Sequence, residues 1–255
     1  MTSSFDPSAA ACSGYCRDCA REHHLPQGGA RSHALRVIRE LERLGRLDYL
    51  APERAADPRL SFEQLFPGEP GNMFGVLECL DARGRTVVLR AFSSLRRGIR
   101  EVAGWVPAIL SAETFHGLVE PAQQEIERLT ARLESLDTRS SAYRALAAQR
   151  RQRSQRLLEA MQARYRFHNF RGQTRGLREA FCGPDGIPGG VGECCAPKLL
   201  NHAAQEGLRP TGLAEFYWGG SKGSRRLTHG EFYPSCESRC RPILGFMLCG
   251  LADAD

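Results

Sequence analysis

Apolar positions along the chain follow two periods. Between Ser32 and Gly45, residues Ala34, Val37, Ile38, Leu41 and Leu44 step by three and four, which predicts an amphipathic helix with Ser32 as N-cap and Gly45 as its stop. Residues 72–92 change period. N-M-F-G-V-L-E-C-L, the turn D-A-R-G and R-T-V-V-L-R-A-F, rich in β-branched residues, predict a β-hairpin buried on both faces. The G-W-V-P segment around Trp105 interrupts regular structure, and helix resumes near Ser111.

Residues 119–166 return to helical spacing. Ile126, Leu129, Leu133 and Leu136 form one stripe, D-T-R-S-S breaks it, and Tyr143, Leu146, Leu157, Met161 and Tyr165 resume it, which predicts two antiparallel helices joined by a short turn. A short helix is expected around Leu177 to Phe181. The loop C-G-P-D-G-I-P-G-G-V-G follows, either a surface connection or a place where backbone amides approach a ligand. Then A-P-K-L-L-N-H-A-A-Q-E-G predicts a helix with Pro197 in its first turn and Gly207 at its end. L-A-E-F-Y-W and L-T-H-G-E-F-Y read as strands around the loop G-G-S-K-G-S-R-R. The pattern implies a mixed α/β core with an inserted antiparallel helical hairpin. Its parts are a cysteine- and histidine-rich segment (1–31), a helix with a β-hairpin (32–115), a basic helical hairpin (116–166) and a cysteine-containing second part of the core (167–255).

Charge adds a location. The formal net charge of +6 over 255 residues is modest, but Arg150, Arg151, Arg153, Arg156, Arg164 and Arg166 gather on and just after the second helix of the hairpin, with Arg144 nearby and Glu159 as the acid among them. Such a density can neutralise nucleic-acid phosphates, and Tyr165, Phe167, His168 and Phe170 offer rings on which bases could stack. The other reading is a solvated helix face paired with Glu125, Glu127 and Glu134. An imperfect apolar stripe leaves homodimerisation through the hairpin, as in a coiled coil, open. No apolar run reaches the length of a membrane span, and M-T-S-S-F-D-P-S lacks the basic and apolar regions of a signal peptide, so a cytoplasmic protein without membrane association is expected.

In a reducing compartment the ten cysteines read as thiols or metal ligands, with the isolated Cys79 and Cys182 as small buried residues. Near the N-terminus, Cys16 and Cys19 form a zinc-knuckle-like C-x-x-C, His23 is the nearer third ligand, and Cys12, His24 or His33 the fourth. Near the C-terminus, Cys194 or Cys195 at one helix start can meet Cys236 and Cys240 on the first turn of another. His229, His202 or water would complete the shell, and zinc is the metal that suits such thiolates.

Two resemblances attach to these residues. The run from about Tyr165 to Leu251, with G-E-C-C-A-P-K-L-L, L-A-E-F-Y-W-G, H-G-E-F-Y-P-S-C and C-R-P-I-L, closely resembles the N-terminal extension of long bacterial RluA-type pseudouridine synthases, and reaches back more weakly to G-N-M-F-G-V-L. The H-R-L-D type motif that carries their catalytic aspartate is absent from this sequence. The resemblance therefore implies an association with RNA modification and not pseudouridine synthase activity. More faintly, the chain resembles the zinc-dependent nucleobase deaminase fold, in which a helix begins with a His or Cys ligand followed two residues on by a glutamate, and a later helix begins with P-C-x-x-C. That resemblance implies Cys194, Cys236 and Cys240 as zinc ligands in a deaminase-like core. The sequence departs from it at Ala196, which stands where the proton-carrying glutamate belongs, and by three residues in place of two between the later cysteines. Glu193 and Glu215 are the candidate catalytic substitutes. The expectation is a zinc protein of RNA or nucleobase modification, a divergent deaminase-like enzyme; the alternative is a non-catalytic RNA-binding adaptor that works with a separate enzyme.

Overall fold

A computed structural model describes residues 10–65, 71–93, 99–184, 186–220 and 227–251. The N-terminal M-T-S-S-F-D-P-S and most of the G-G-S-K-G-S-R-R loop lie outside the described residues. The chain is mixed α/β. Its centre is a four-stranded antiparallel sheet in the order β4-β3-β7-β8, from β3 (Asn72–Leu80), β4 (Thr86–Phe92), β7 (Arg209–Trp218) and β8 (Phe232–Tyr233).

The alternation of side chains on β3 and β7 splits the core into two layers. Phe74 and Val76, with Ala214, Phe216 and Trp218, face α1 (Ala30–Leu44), where Ala34, Val37, Ile38 and Leu41 are buried. Trp105 closes this side, its ring 5.6 Å from those of Phe74 and Phe92 and its indole N–H donating to the Leu47 carbonyl at 3.0 Å. The helix ends on Gly45, in the left-handed conformation at φ 60°, as expected. It begins two residues before the expected cap, with Gly29 in that place, so Ser32 lies inside it.

The opposite face of the sheet presents Leu77, Cys79 and Leu213 to α6 (Cys195–Gln205) and α7 (Arg241–Met247). Contact here is close. A Cβ on Gly75 would lie 2.6 Å from the Cys195 Cβ, so glycine on β3 is what lets the start of α6 settle on the strand. On the same side an N-terminal hairpin, β1 (Ala10–Cys16) and β2 (Arg21–Pro26), packs Ala11, Cys12 and Leu25 into the layer formed by α6 and α7.

After the short α2 (Phe62–Leu65), the expected helical hairpin is present as α3 (Ala112–Glu134), capped by the Ser111 side chain, and α4 (Ser141–Gln162), capped by Ser140. Leu129, Leu133 and Leu146 form its own small core. Arg151, Arg156, Arg164 and Arg166 are exposed, Arg150 and Arg153 half-buried, and Arg153 pairs with Glu125 at 2.7 Å. The expected stacking rings behave differently. Tyr165 and Phe167 are buried, because β5 (Arg166–His168) and the residue before it turn alternate side chains into the core. The short pairing partner of β5 is β6 (Thr174–Gly176), followed by α5 (Leu177–Ala180). Among the described residues no helix is long and apolar enough to cross a membrane.

Candidate metal centre

Alternation along β7 places Leu213, Glu215 and Tyr217 on the sheet face that carries α6. Cys194 is the N-cap residue of that helix, and Cys240 caps α7. The sulfurs of Cys194, Cys236 and Cys240 lie within 4.8 Å of one another, those of Cys236 and Cys240 3.2 Å apart. With metal–sulfur bonds of about 2.3 Å, tetrahedral sulfurs sit about 3.8 Å apart, so small side-chain adjustments suffice for these three to hold one ion.

The chemistry of the thiols fits a cation. Cys236 is driven far below the usual thiol range by its hydrogen bonds with Cys194 and Cys240. The same bonds hold Cys194 and Cys240 above the usual range, Cys194 chiefly through Cys236 and Cys240 chiefly through Cys194. Three thiols held this close form a set that a divalent ion would convert to thiolates on binding.

Three expectations about ligands are corrected by the packing. Cys195 is not in the cluster; its thiol donates to the Met73 carbonyl at 3.2 Å and is wholly buried, since one step along α6 rotates it toward the sheet. Cys236 and Cys240 do not sit in the first turn of a helix. They bracket a turn closed by Cys240 N–H to the Cys236 carbonyl at 3.2 Å, and α7 starts only at Arg241. Neither histidine completes the shell: His229 accepts from the Gly219 amide at 3.0 Å and lies against Trp218, while His202 lines a separate cleft with Lys198 and Arg166. Among the described residues no fourth His, Cys, Asp or Glu joins the three cysteines.

The two candidate carboxylates part company. Glu193 is locked in place, 3.0 Å from Arg100 and accepting a hydrogen bond from the Tyr165 hydroxyl, while Arg100 also lies over the Phe115 ring at 3.9 Å. This is a structural clamp between the helical hairpin and the cluster. Removing the cation from a buried pair strands the carboxylate, so Arg100→Met is expected to lower stability by about 3–5 kcal/mol, read from urea unfolding.

Glu215 is also buried, but it is bonded to the segments that carry the cluster. Its carboxylate accepts from the Ala196 amide at 3.2 Å and from the Ser235 hydroxyl at 2.6 Å. The first contact is two residues after Cys194 and the second one residue before Cys236. A carboxylate from β7 thus ties together the two segments that carry the cysteines. Burial pushes the Glu215 carboxyl up to about 7, against the hydrogen bonds from Ser235 and Ala196.

Glu215, Cys194 and Cys236 share the wall of a cavity of about 670 Å³ that Glu193, Tyr233 and Arg239 also line. No protein-family model, curated protein or solved structure matches this chain.

The N-terminal residues form a second cluster. Cys16, Cys19 and His23 come together as expected, within 4.8 Å, and their fourth partner is Cys249. Cys12 cannot serve, because four steps along the strand set it about 13 Å from Cys16. It is buried beside Ser235 and Glu215 instead, and burial raises its thiol far above the usual range. His33 is 3.0 Å from Glu78. His24 stands outside the group. Cys249 lies 230 residues along the chain from Cys19, and no spacing rule could have paired the two.

Proposed function

We propose that the chain is a zinc-dependent, deaminase-like hydrolase acting on a base in nucleic acid, with Cys194, Cys236 and Cys240 as zinc ligands and Glu215 as proton carrier. The observation that carries this reading is the Glu215 carboxylate, hydrogen-bonded to both ligand-bearing segments and exposed to the same cavity as an incomplete set of thiols. When bound, zinc on three thiolates supplies an open coordination position and lowers the pKa of water there.

The remaining work falls to side chains. Two of the carboxylate's lone-pair sites are taken by Ala196 and Ser235, which fix its orientation and leave the others for a proton in transit. A carboxyl near pKa 7 can accept a proton from water and return it to a departing nitrogen at neutral pH. In the net reaction water supplies the oxygen that replaces an exocyclic amine, the C–N bond breaks, and ammonia leaves. Glu193, held by Arg100 and Tyr165, positions the approach to Cys194 and does not move protons.

Nucleic acid as substrate is supported by the arm. The end of α4 reaches the loop leading to Cys194, with Gln162 donating to the Ile187 carbonyl at 3.1 Å. The exposed Arg164 and Arg166 lie just past this helix end and line the neighbouring cleft with Lys198 and His202, and Arg239 lines the cavity itself. RNA is the preferred substrate given the resemblance to an RNA-modification extension. Converting Arg150, Arg151, Arg153 and Arg156 to glutamine is expected to weaken binding of single-stranded RNA and to flatten its salt dependence, by about 0.7 in log–log slope for every phosphate that is no longer neutralised. Arg153, tied to Glu125, contributes least. A slope unchanged by the four substitutions removes the arm from the binding site.

The direct test incubates the zinc-loaded chain with RNA and DNA containing cytidine, adenosine and guanosine, and reads the bases by mass spectrometry. Conversion of an amino base to its oxo form is the expected result. No conversion in any of them, with RNA still bound, favours the non-catalytic adaptor acting beside a separate enzyme.

A further inference from the structure

The structure assigns a second, closed metal site to Cys16, Cys19, His23 and Cys249, one whose ion pins the N-terminal hairpin to α7. It is independent of the reading above, since it needs no chemistry at Cys194, Cys236 and Cys240.

Each ligand arrives by a separate local device. Gly14 pairs with His23 across the hairpin, so Cys16, two residues on from Gly14, shares a face with His23. The turn between the strands carries Cys19, and Ala20 just after it takes the left-handed φ of 49°, which swings the chain back into β2. Cys249 comes from the turn that ends α7, where its amide bonds the Phe246 carbonyl at 3.1 Å.

What joins hairpin to helix is backbone contact between glycines. A Cβ on Gly14 would lie 2.3 Å from the Gly245 nitrogen, and one on Gly245 would lie 2.0 Å from the Tyr15 carbonyl oxygen. At that separation Cys249, four residues past Gly245, falls beside Cys19, with the sulfurs 3.3 Å apart. Cys16, His23 and Cys249 are buried and Cys19 half-buried. Burial raises the Cys249 thiol to about 12, and its hydrogen bonds to Cys19 and Cys16 add to the shift.

Four ligands of the Cys₃His type fill a tetrahedron and leave no open position, the mark of a structural zinc site. Three thiols and an imidazole so enclosed are also poorly suited to hard cations such as Mg²⁺ or Ca²⁺.

Cys240 precedes α7 and Cys249 follows it, so one seven-residue helix carries a candidate metal cluster at each end. The hairpin pinned at the far end supplies the Ala11 carbonyl that accepts from the Ser235 amide at 2.8 Å. Ser235 in turn donates to Glu215. The closed site thus holds in register the strand that positions Ser235 against the carboxylate.

Metal analysis of the full chain, purified without chelator, tests the assignment. Wild type is expected to carry two zinc ions, Cys249→Ser and Cys236→Ser one each, and the double variant none. Cys19→His keeps four ligands at the half-buried corner and is expected to retain both ions, which separates ligand loss from misfolding. In Cys249→Ser, amide exchange is expected to quicken in β1 and β2 with β3 and β7 unchanged. A single ion per wild-type chain, lost in Cys236→Ser and kept in Cys249→Ser, overturns the second site and leaves the first standing. One ion with the opposite dependence overturns the first alone. A Cys19–Cys249 disulfide in the intact mass of the freshly purified, unreduced protein would also sink the second site.

Discussion

If the proposed deamination is the activity, Glu215→Gln is expected to lower its rate by about 10²–10⁴-fold, the range over which a positioned proton carrier acts, with zinc content unchanged. Glutamine can still accept from the Ala196 amide or the Ser235 hydroxyl, so the geometry around the cluster should persist while proton transfer fails. The same substitution separates function from stability. Below pH about 4.5 the carboxyl is protonated in both folded and unfolded chains. From there upward the unfolded chain ionises first, because burial holds the native group near 7, and stability falls as pH rises toward that value. The loss approaches about 3 kcal/mol above pH 7 for a shift of this size. In chelator-treated protein Glu215→Gln, which cannot ionise, is therefore expected to be the more stable form at pH 8 and to lose that advantage at pH 5. A bound cation favours the carboxylate and should narrow the gap. Retention of full rate in Glu215→Gln would falsify the assignment of proton transfer to this residue.

Removing a ligand is the second large effect. Cys236 is held below the usual thiol range by the neighbouring thiols, and Cys236→Ser is expected to abolish binding of the ion there together with all turnover. Stability should fall only in proportion to linkage: at free zinc one hundred times the dissociation constant the bound ion contributes about 2.7 kcal/mol. Thermal unfolding of wild type and variant, each with zinc and with chelator, gives the comparison. The variant should resemble chelated wild type at the cavity while still responding to zinc through the N-terminal cluster. An ion retained at the cavity in Cys236→Ser would show that another donor holds it.

The difference between the two carboxylates shows where reading from sequence stopped. Glu193 and Glu215 are both close to cysteines along the chain or across a strand, and both are buried in the fold. Only the partners distinguish them. Arg100 comes from a segment of irregular structure far upstream, and its pairing with Glu193 depends on how residues 99–111 cross the core. Glu215 could be placed further by sequence, since the alternation in L-A-E-F-Y-W sets it on the face of Leu213 and Tyr217. That this face is the one carrying Cys194 required knowing that α6 packs there, over Gly75.

The sequence by itself determined several of the elements, though not the β1–β2 hairpin or the short strands β5 and β6. The apolar stripes of α1, α3 and α4, the hairpin of β3 and β4, the proline-tolerant start of α6 and the C-x-x-C turn all follow from periodicity and local backbone preference, which act within a few residues. The tertiary structure alone decided which thiols lie close enough to share an ion. Cys249 joins Cys16, Cys19 and His23 because two glycines let a helix approach a hairpin to backbone contact, and Cys195 is excluded because one residue along a helix turns a side chain by about 100°. Metal ligation and proton transfer depend on distances of a few ångströms between remote segments, and those distances are set by packing.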